Sequence, residues 1–357
     1  MRTGEPPPLP TNPIYWLNLA ATLLVATAGA SVATFFAVPA SWLSGAMVAV
    51  TAASLGRLDT RLPAPVIELS FLLIGIALGA GLTPELLRSL GAWPFSLAVL
   101  VLTVILVTAG VRWFLIHVSG WDRDTAFFAA VPGALSYVIA VAATTGADIR
   151  KVAVSQSIRI FLLVAALPAI IVALESGPPT EQVVPATDWA ELAILVGVST
   201  VVGVVFRQAK IPAGLLTGSF AGSAFLHGAG LVDGTLPQPA IIVAFILLGA
   251  LAGSRFVGTT LAFLGRVLFA SIGAFLVAVV IAVAMAILVA LVIGIPFDQA
   301  IVAFAPGGLD AMMSLALALH MDTAFVAAHQ FARFAGIAFG LPVFLRWSRR
   351  RHRDDPA

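Results

Sequence analysis

The sequence predicts an all-α polytopic membrane protein made of two inverted repeats, each with five spanning helices and one broken or re-entrant Pro-Gly element. Three observations carry this. Of its 357 residues 60% are apolar and 10% charged, and the mean hydropathy is +1.06; a soluble chain carries about 25% charge. The stretch Asp124 to Pro168 recurs as Asp298 to Pro342 after a shift of 174 positions without a gap, with 14 identities in 45. Finally, Lys and Arg sort to one side of a bilayer only if each Pro-Gly element returns to the side it came from.

In chain order, residues 1–13 are polar and Pro-rich and read as a disordered lead rather than a cleaved signal peptide. Membrane repeat 1 is placed at 14–174, with apolar segments near 14–36, 39–55, 65–82, 93–117, 124–146 and 149–174. Residues 175–190 read as an acidic external linker. Repeat 2 occupies 191–346, its segments beginning near 189 and running 189–206, 212–228, 239–254, 264–294, 298–320 and 323–346. Residues 347–357 form a basic tail, expected at the cytoplasmic face against lipid head groups. Most segments reach the roughly 17–25 residues a spanning helix needs; 39–55, 212–228 and 239–254 are marginal. The duplication extends upstream. Pro39-Ala40 recurs as Pro212-Ala213, and Gly75-x-x-x-Gly79 as Gly249-x-x-x-Gly253, a spacing that reads as close helix packing.

The charge distribution chooses between two topologies. With twelve spanning segments, two of them broken, and a cytoplasmic N-terminus, ten basic residues face in and seven out. With 124–146 and 298–320 returning on their own side, the split is sixteen to one, only Arg88 outside, and Arg159 and Arg333 lie within helices. Five crossings per repeat is an odd number, so the second repeat is inverted. Both termini are then cytoplasmic, and such architecture belongs chiefly to secondary transporters.

The costly residues in the duplicated stretch are the candidate site. Pro132-Gly133 and Pro306-Gly307-Gly308 interrupt apolar runs, and broken backbone survives in a bilayer only where protein buries it or it lines a polar cavity. Ser136 and Asp310 follow them at equivalent places. Arg159 and Arg333 each lie about eleven residues into a segment, roughly 15 Å deep, where a guanidinium needs a partner or a wet cavity. Gln156 and Gln330 share their faces at i−3, and Ser155 and His329 at i−4. Each arginine either satisfies carbonyls freed at a Pro-Gly break or binds an anionic solute. Asp310 is expected to pair with Arg159 or Arg333, or to carry a proton or a sodium ion. Asp124, Asp298, Asp148 and Asp322 read as helix N-caps.

Other chemistry is not supported. No cysteine is present, and the five histidines form no i, i+4 pair and no HExxH, so neither a metal site nor a cofactor is expected. Nor is there a GxSxG elbow, so the chain reads as a non-enzyme without a nucleic-acid partner.

The duplicated Asp…Pro-Gly…Asp…Gln-x-x-Arg pattern resembles the AbrB family of bacterial membrane proteins, over Leu19 to Arg346. Members are labelled regulators of gene expression or, by an older label, ammonia monooxygenases. In architecture they are similar to the cation/proton antiporter and anion transporter superfamily, which includes bile-acid and hydroxycarboxylate carriers. The resemblance implies a bacterial inner-membrane location and, by analogy with related carriers, a homodimer. The residues themselves point to a secondary transporter for a small anionic or zwitterionic solute held between the Pro-Gly elements. The alternative is a non-transporting membrane regulator that acts on gene expression indirectly, through a partner or metabolite.

Overall fold

Proline and glycine set helix boundaries here, and they do so twice. The computed structural model describes residues 13–81, 93–133, 135–174, 188–211 and 213–351, with backbone alone at 135–137, 140, 174, 338, 339 and 341–351. In the first half the helices are α1 (Pro13–Phe35), α2 (Ser41–Leu55), α3 (Ala64–Gly79), α4 (Trp93–His117), α5 (Arg123–Ala130), α6 (Leu135–Ala142) and α7 (Ile149–Leu174). In the second they are α8 (Trp189–Gln208), α9 (Gly214–Gly228), α10 (Gln238–Ser254), α11 (Leu261–Ile293), α12 (Phe297–Phe304), α13 (Leu309–Ala318) and α14 (Thr323–Arg351). No strand occurs among the described residues. Pro63 and Pro237 stand before α3 and α10, each with a second proline in the first turn, where a missing N–H costs nothing. The starts of α3, α5, α6 and α7 recur in α10, α12, α13 and α14 at the same offset of 174 residues.

Five helices, α1, α4, α7, α8 and α11, are long and apolar enough to cross a bilayer, and α2, α3, α10 and α13 are shorter apolar helices. Their outer faces carry large apolar side chains, Leu24, Val201, Phe269 and Leu291 being 63–80% exposed. The interior holds Gln156, Arg159, His329, Gln330 and Arg333, none above 5%. This distribution, apolar outside and selectively polar inside, marks a membrane protein.

The small residues are where the repeats interlock. A Cβ on Gly249 would fall 2.4 Å from Leu43 O, and one on Gly253 2.7 Å from Met47 O, so α10 lies parallel against α2. The same arrangement recurs with the halves exchanged. Gly75 meets Leu216 O at 2.6 Å and Gly79 meets Ser223 Cβ at 2.4 Å, so α3 runs parallel to α9. By contrast α4 and α11 are antiparallel, Gly110 lying over Val277 and Ile281 while Gly273 faces Phe114. Within each half, α1 against α2 and α8 against α9 are antiparallel hairpins.

Each Pro-Gly element doubles back. Asp148 N, beyond the end of α6, donates to Thr125 Oγ1 at the start of α5 at 2.8 Å. In the second half Gln299 Nε2 donates to Asp322 Oδ2 at 3.3 Å, at the equivalent positions. A broken but continuous spanning helix would hold those ends roughly 30 Å apart. We call α5–α6 and α12–α13 the first and second hairpins. Their first arms are eight residues each, about 12 Å long, so the tips reach the middle of the bundle.

Two of the four expected caps are confirmed. Asp148 Oδ1 accepts from Lys151 N at 3.1 Å, and Asp322 Oδ1 from Ala324 and Phe325 N at 3.0 Å. Asp124 and Asp298 are not caps. Asp122 caps α5 through Thr125 N at 2.8 Å, and α12 starts behind Pro296 with no side-chain cap, so both helices begin before the expected aspartate. Partial burial works to raise the Asp122 carboxyl, but hydrogen bonds from Thr125 outweigh it and hold the group below the usual carboxylate range. A carboxyl lowered by folding stabilises above its unfolded pKa and loses that contribution as pH falls through the folded one. Asp122→Ala is therefore expected to cost about 1 kcal/mol near neutral pH, and thermal unfolding should show the difference shrinking in acid.

Other boundaries move slightly. Asp188 caps α8, so 188–190 belong to that helix rather than to the linker. Helix α14 continues through Arg351, into the expected tail. Residues 1–12, 82–92 with Arg88, 134, 175–187, 212 and 352–357 lie outside the described residues, so the lead, most of the linker and the end of the tail are not described.

Candidate functional site

At each hairpin tip the chain leaves its first helix in extended geometry, Val131 at φ −60°, ψ 120° and Ala305 at φ −54°, ψ 133°. A residue before proline is pushed out of the helical region by the ring, so the last carbonyls of α5 and α12 lose their helical donors. The scaffold helices supply them. Gln156 Nε2 on α7 donates to Phe128 O at 2.8 Å, and Gln330 Nε2 on α14 to Val302 O at 2.9 Å and Ala303 O at 3.2 Å. Above each glutamine sits its arginine. Arg333 Nη1 donates to Ala305 O, and Nη2 to Gly307 O at 2.7 Å and to Gln330 Oε1. Arg159 Nη2 approaches Val131 O at 3.5 Å and Gln156 Oε1 at 3.4 Å. A cation at these carbonyls also offsets the negative end of each half-helix.

The two tips meet. A Cβ built on Gly133, at φ +99°, would lie 3.7 Å from both Arg333 Nε and Gly307 O, and one on Gly308 would lie 3.6 Å from Ile160 Cδ1 on α7. Each tip therefore faces the other half's scaffold helix. Among the described residues the ion pairs are Arg61–Asp59, Lys151–Asp148, Arg207–Glu68 and Arg255–Asp310, and neither central arginine takes part in one. The centre thus holds two buried guanidiniums whose neighbours are dipoles rather than carboxylates.

Two expected site residues have partners that the sequence did not name. Asp310 does not pair with Arg159 or Arg333; its Oδ2 accepts from Arg255 Nη2 at 3.1 Å, both side chains about one-fifth exposed. The physical reason is position: Asp310 follows the tip and turns toward the end of α10, where Arg255 stands. His329 bonds to the scaffold rather than to a tip carbonyl. Its Nδ1 donates to Phe325 O and its Nε2 lies 2.8 Å from Ser96 Oγ on α4, with Trp93, Phe304 and Phe325 around the ring. The backbone of Ser136 lies in the first turn of α6, and its side chain is outside what is described. The residue missed was Arg255, grouped by sequence with the basic loops. A signal existed: its equivalent is Gly81 and that of Asp310 is Ser136, so opposite charges enter the second copy together.

Such a molecule is an all-helical membrane protein whose centre holds two interrupted hairpins, each braced by a buried Gln-x-x-Arg. The chain belongs to the AbrB family. The family model described as transition state regulatory protein AbrB matches residues 42–349, with a second match over 2–83. A protein of Escherichia coli (strain K12), whose name presents it as a regulator, AbrB, is 27% identical over 315 residues, covering 87% of this chain and 90% of its own length. The uncharacterised protein YhjN of Bacillus subtilis (strain 168) is 26% identical over 361 residues, covering 92% and 93%.

Proposed function

We propose that the chain is a secondary transporter that moves a small anionic solute past the meeting point of the hairpin tips. The observation that carries this is the pair of buried arginines without a carboxylate partner, set between two half-helix breaks. Uncompensated cations in a low-dielectric centre are costly, and a mobile anion offsets them only while it is bound. The flux assay is uptake of labelled mono- and dicarboxylates into proteoliposomes of the purified chain. Uptake above empty liposomes for at least one solute is expected; none across the panel would remove the reading.

In this reading the repeats are inverted, with five crossings and one re-entrant hairpin apiece. Equivalent helices α4 and α11 pack antiparallel, which supports opposite insertion. Contacts between helix ends support the same sidedness. Glu68 meets Arg207, Ser54 meets Gly253 O and Arg150 meets Gly258 O at one end; Leu78 O meets Thr323 and Glu191 meets Gly234 N at the other. The first group carries the basic residues and would be cytoplasmic, in the inner membrane. The chain has no cysteine, so single cysteines report sidedness cleanly. Thr145→Cys is expected to react with an impermeant thiol reagent from the cytoplasm and Leu319→Cys from outside; labelling from one common side would sink the inverted arrangement.

The regulator name of the Escherichia coli relative and of the family model supports a second reading, a membrane regulator that does not transport. Deletion from Ser348 onward separates them. A transporter keeps its flux without the tail, whereas a partner-dependent regulator loses its effect on gene expression.

A further inference from the structure

The two braces are equivalent in position and unequal in use. Arg333 commits both terminal nitrogens to its own hairpin and to Gln330. Arg159 is only 5% exposed, yet its Nη2 contacts stand at 3.5 and 3.4 Å, the long limit of a hydrogen bond, and its Nε is shut off from water with no partner. Nε and Nη2 lie along one edge of the planar guanidinium, with two N–H bonds pointing the same way. Of the two central guanidiniums, the buried donor left without a partner among the described residues therefore lies on that edge.

We propose that the Nε–Nη2 edge of Arg159 is the binding group of the site and takes one carboxylate, side-on and bidentate, while Arg333 is a positioning residue that holds the second tip. This rests on the transport reading above and narrows its solute to organic carboxylates. Two parallel N–H donors match the two oxygens of a carboxylate, whereas a spherical halide leaves one of them poorly directed. Phosphate can also present two oxygens, but it brings a larger charge and further oxygens for which this edge has no donor. Gln156 spends its Nε2 on the hairpin carbonyl, and its Oε1 accepts from Arg159 Nη2 only at 3.4 Å, a long contact that a carboxylate oxygen would replace.

The test uses the full-length protein in detergent, titrated with potassium acetate, lactate and succinate, and with potassium phosphate and chloride at matched ionic strength. At least one carboxylate is expected to raise the thermal unfolding midpoint with saturation, and phosphate and chloride are expected not to. Arg159→Lys keeps the charge but not the fork, and should fold while binding that carboxylate about tenfold or more weakly. Arg333→Lys should lower the starting midpoint and leave the carboxylate dependence in place. The proposal is overturned if no carboxylate shifts the midpoint, if phosphate or chloride acts equally, if Arg159→Lys titrates like the parent, or if Arg333→Lys is the variant that loses the response. Carboxylate binding that depends on Arg159, without flux in proteoliposomes, upholds this assignment and removes the transport reading. Flux that survives Arg159→Gln does the reverse.

Discussion

Replacing Arg333 with alanine is expected to be among the most damaging single changes in this chain, and for a structural reason. The carbonyl of Gly307 and the amide oxygen of Gln330 lose their side-chain donor, and the carbonyl of Ala305 keeps only the Gly307 N–H at 2.8 Å. Each buried acceptor left bare costs about 1–3 kcal/mol, so the two together remove a large part of the roughly 5–15 kcal/mol that holds a typical domain. The half-helix α12 would also lose the cation at its C-terminal end. Arg159→Ala removes longer and fewer contacts and should cost clearly less. Thermal unfolding of the two purified variants, side by side, checks this. Equal losses, or a larger one at Arg159, would mean that the difference in their hydrogen bonds does not describe the protein.

A second large effect is expected far from any charge. Gly249→Val would place a Cβ 2.4 Å from Leu43 O and 2.8 Å from Ala46 Cβ, so it is backbone and not a flexible side chain that must move. Helix α10 cannot then lie against α2, and one of the two parallel seams between the halves opens. The cost should exceed the roughly 1–3 kcal/mol usual for overpacking, because no rotamer change relieves it. Gly75→Val, 2.6 Å from Leu216 O on the matching seam, should behave alike. On α8, Gly197→Ala meets nothing within 4 Å and serves as the control. Yields of folded protein by size-exclusion chromatography separate the outcomes; a Gly249→Val variant that elutes like the parent would show that the seam is not close-packed.

These expectations draw unequally on the linear chain. The helices were legible because hydropathy, proline and glycine act locally: Pro63, Pro237 and Gly294 mark boundaries wherever the rest of the chain goes. The hairpin breaks were legible because Val131 and Ala305 each precede a proline, and the braces because Gln-x-x-Arg recurs at the same distance behind each break. The cap at Asp122 was not, since Asp122 and Asp124 both offer a start within three residues and only the finished turn selects one. Nor were the partners of Asp310 and His329, which come from α10 and α4 and lie 55 and 233 residues away.

Read as a string, the chain established its membrane character and its duplication, which follow from composition and from identity at a fixed offset, and it singled out the two arginines as costly. What it could not express is which arginine is saturated. Arg159 and Arg333 occupy matching positions, with the same glutamine three residues before each. The difference lies in how far each guanidinium stands from the carbonyls of a separate element, a matter of a fraction of an ångström set by the packing of helices against hairpins. Hydrogen bonds weaken steeply over that interval, so folded geometry alone separates the group that holds a hairpin from the one left with an open edge.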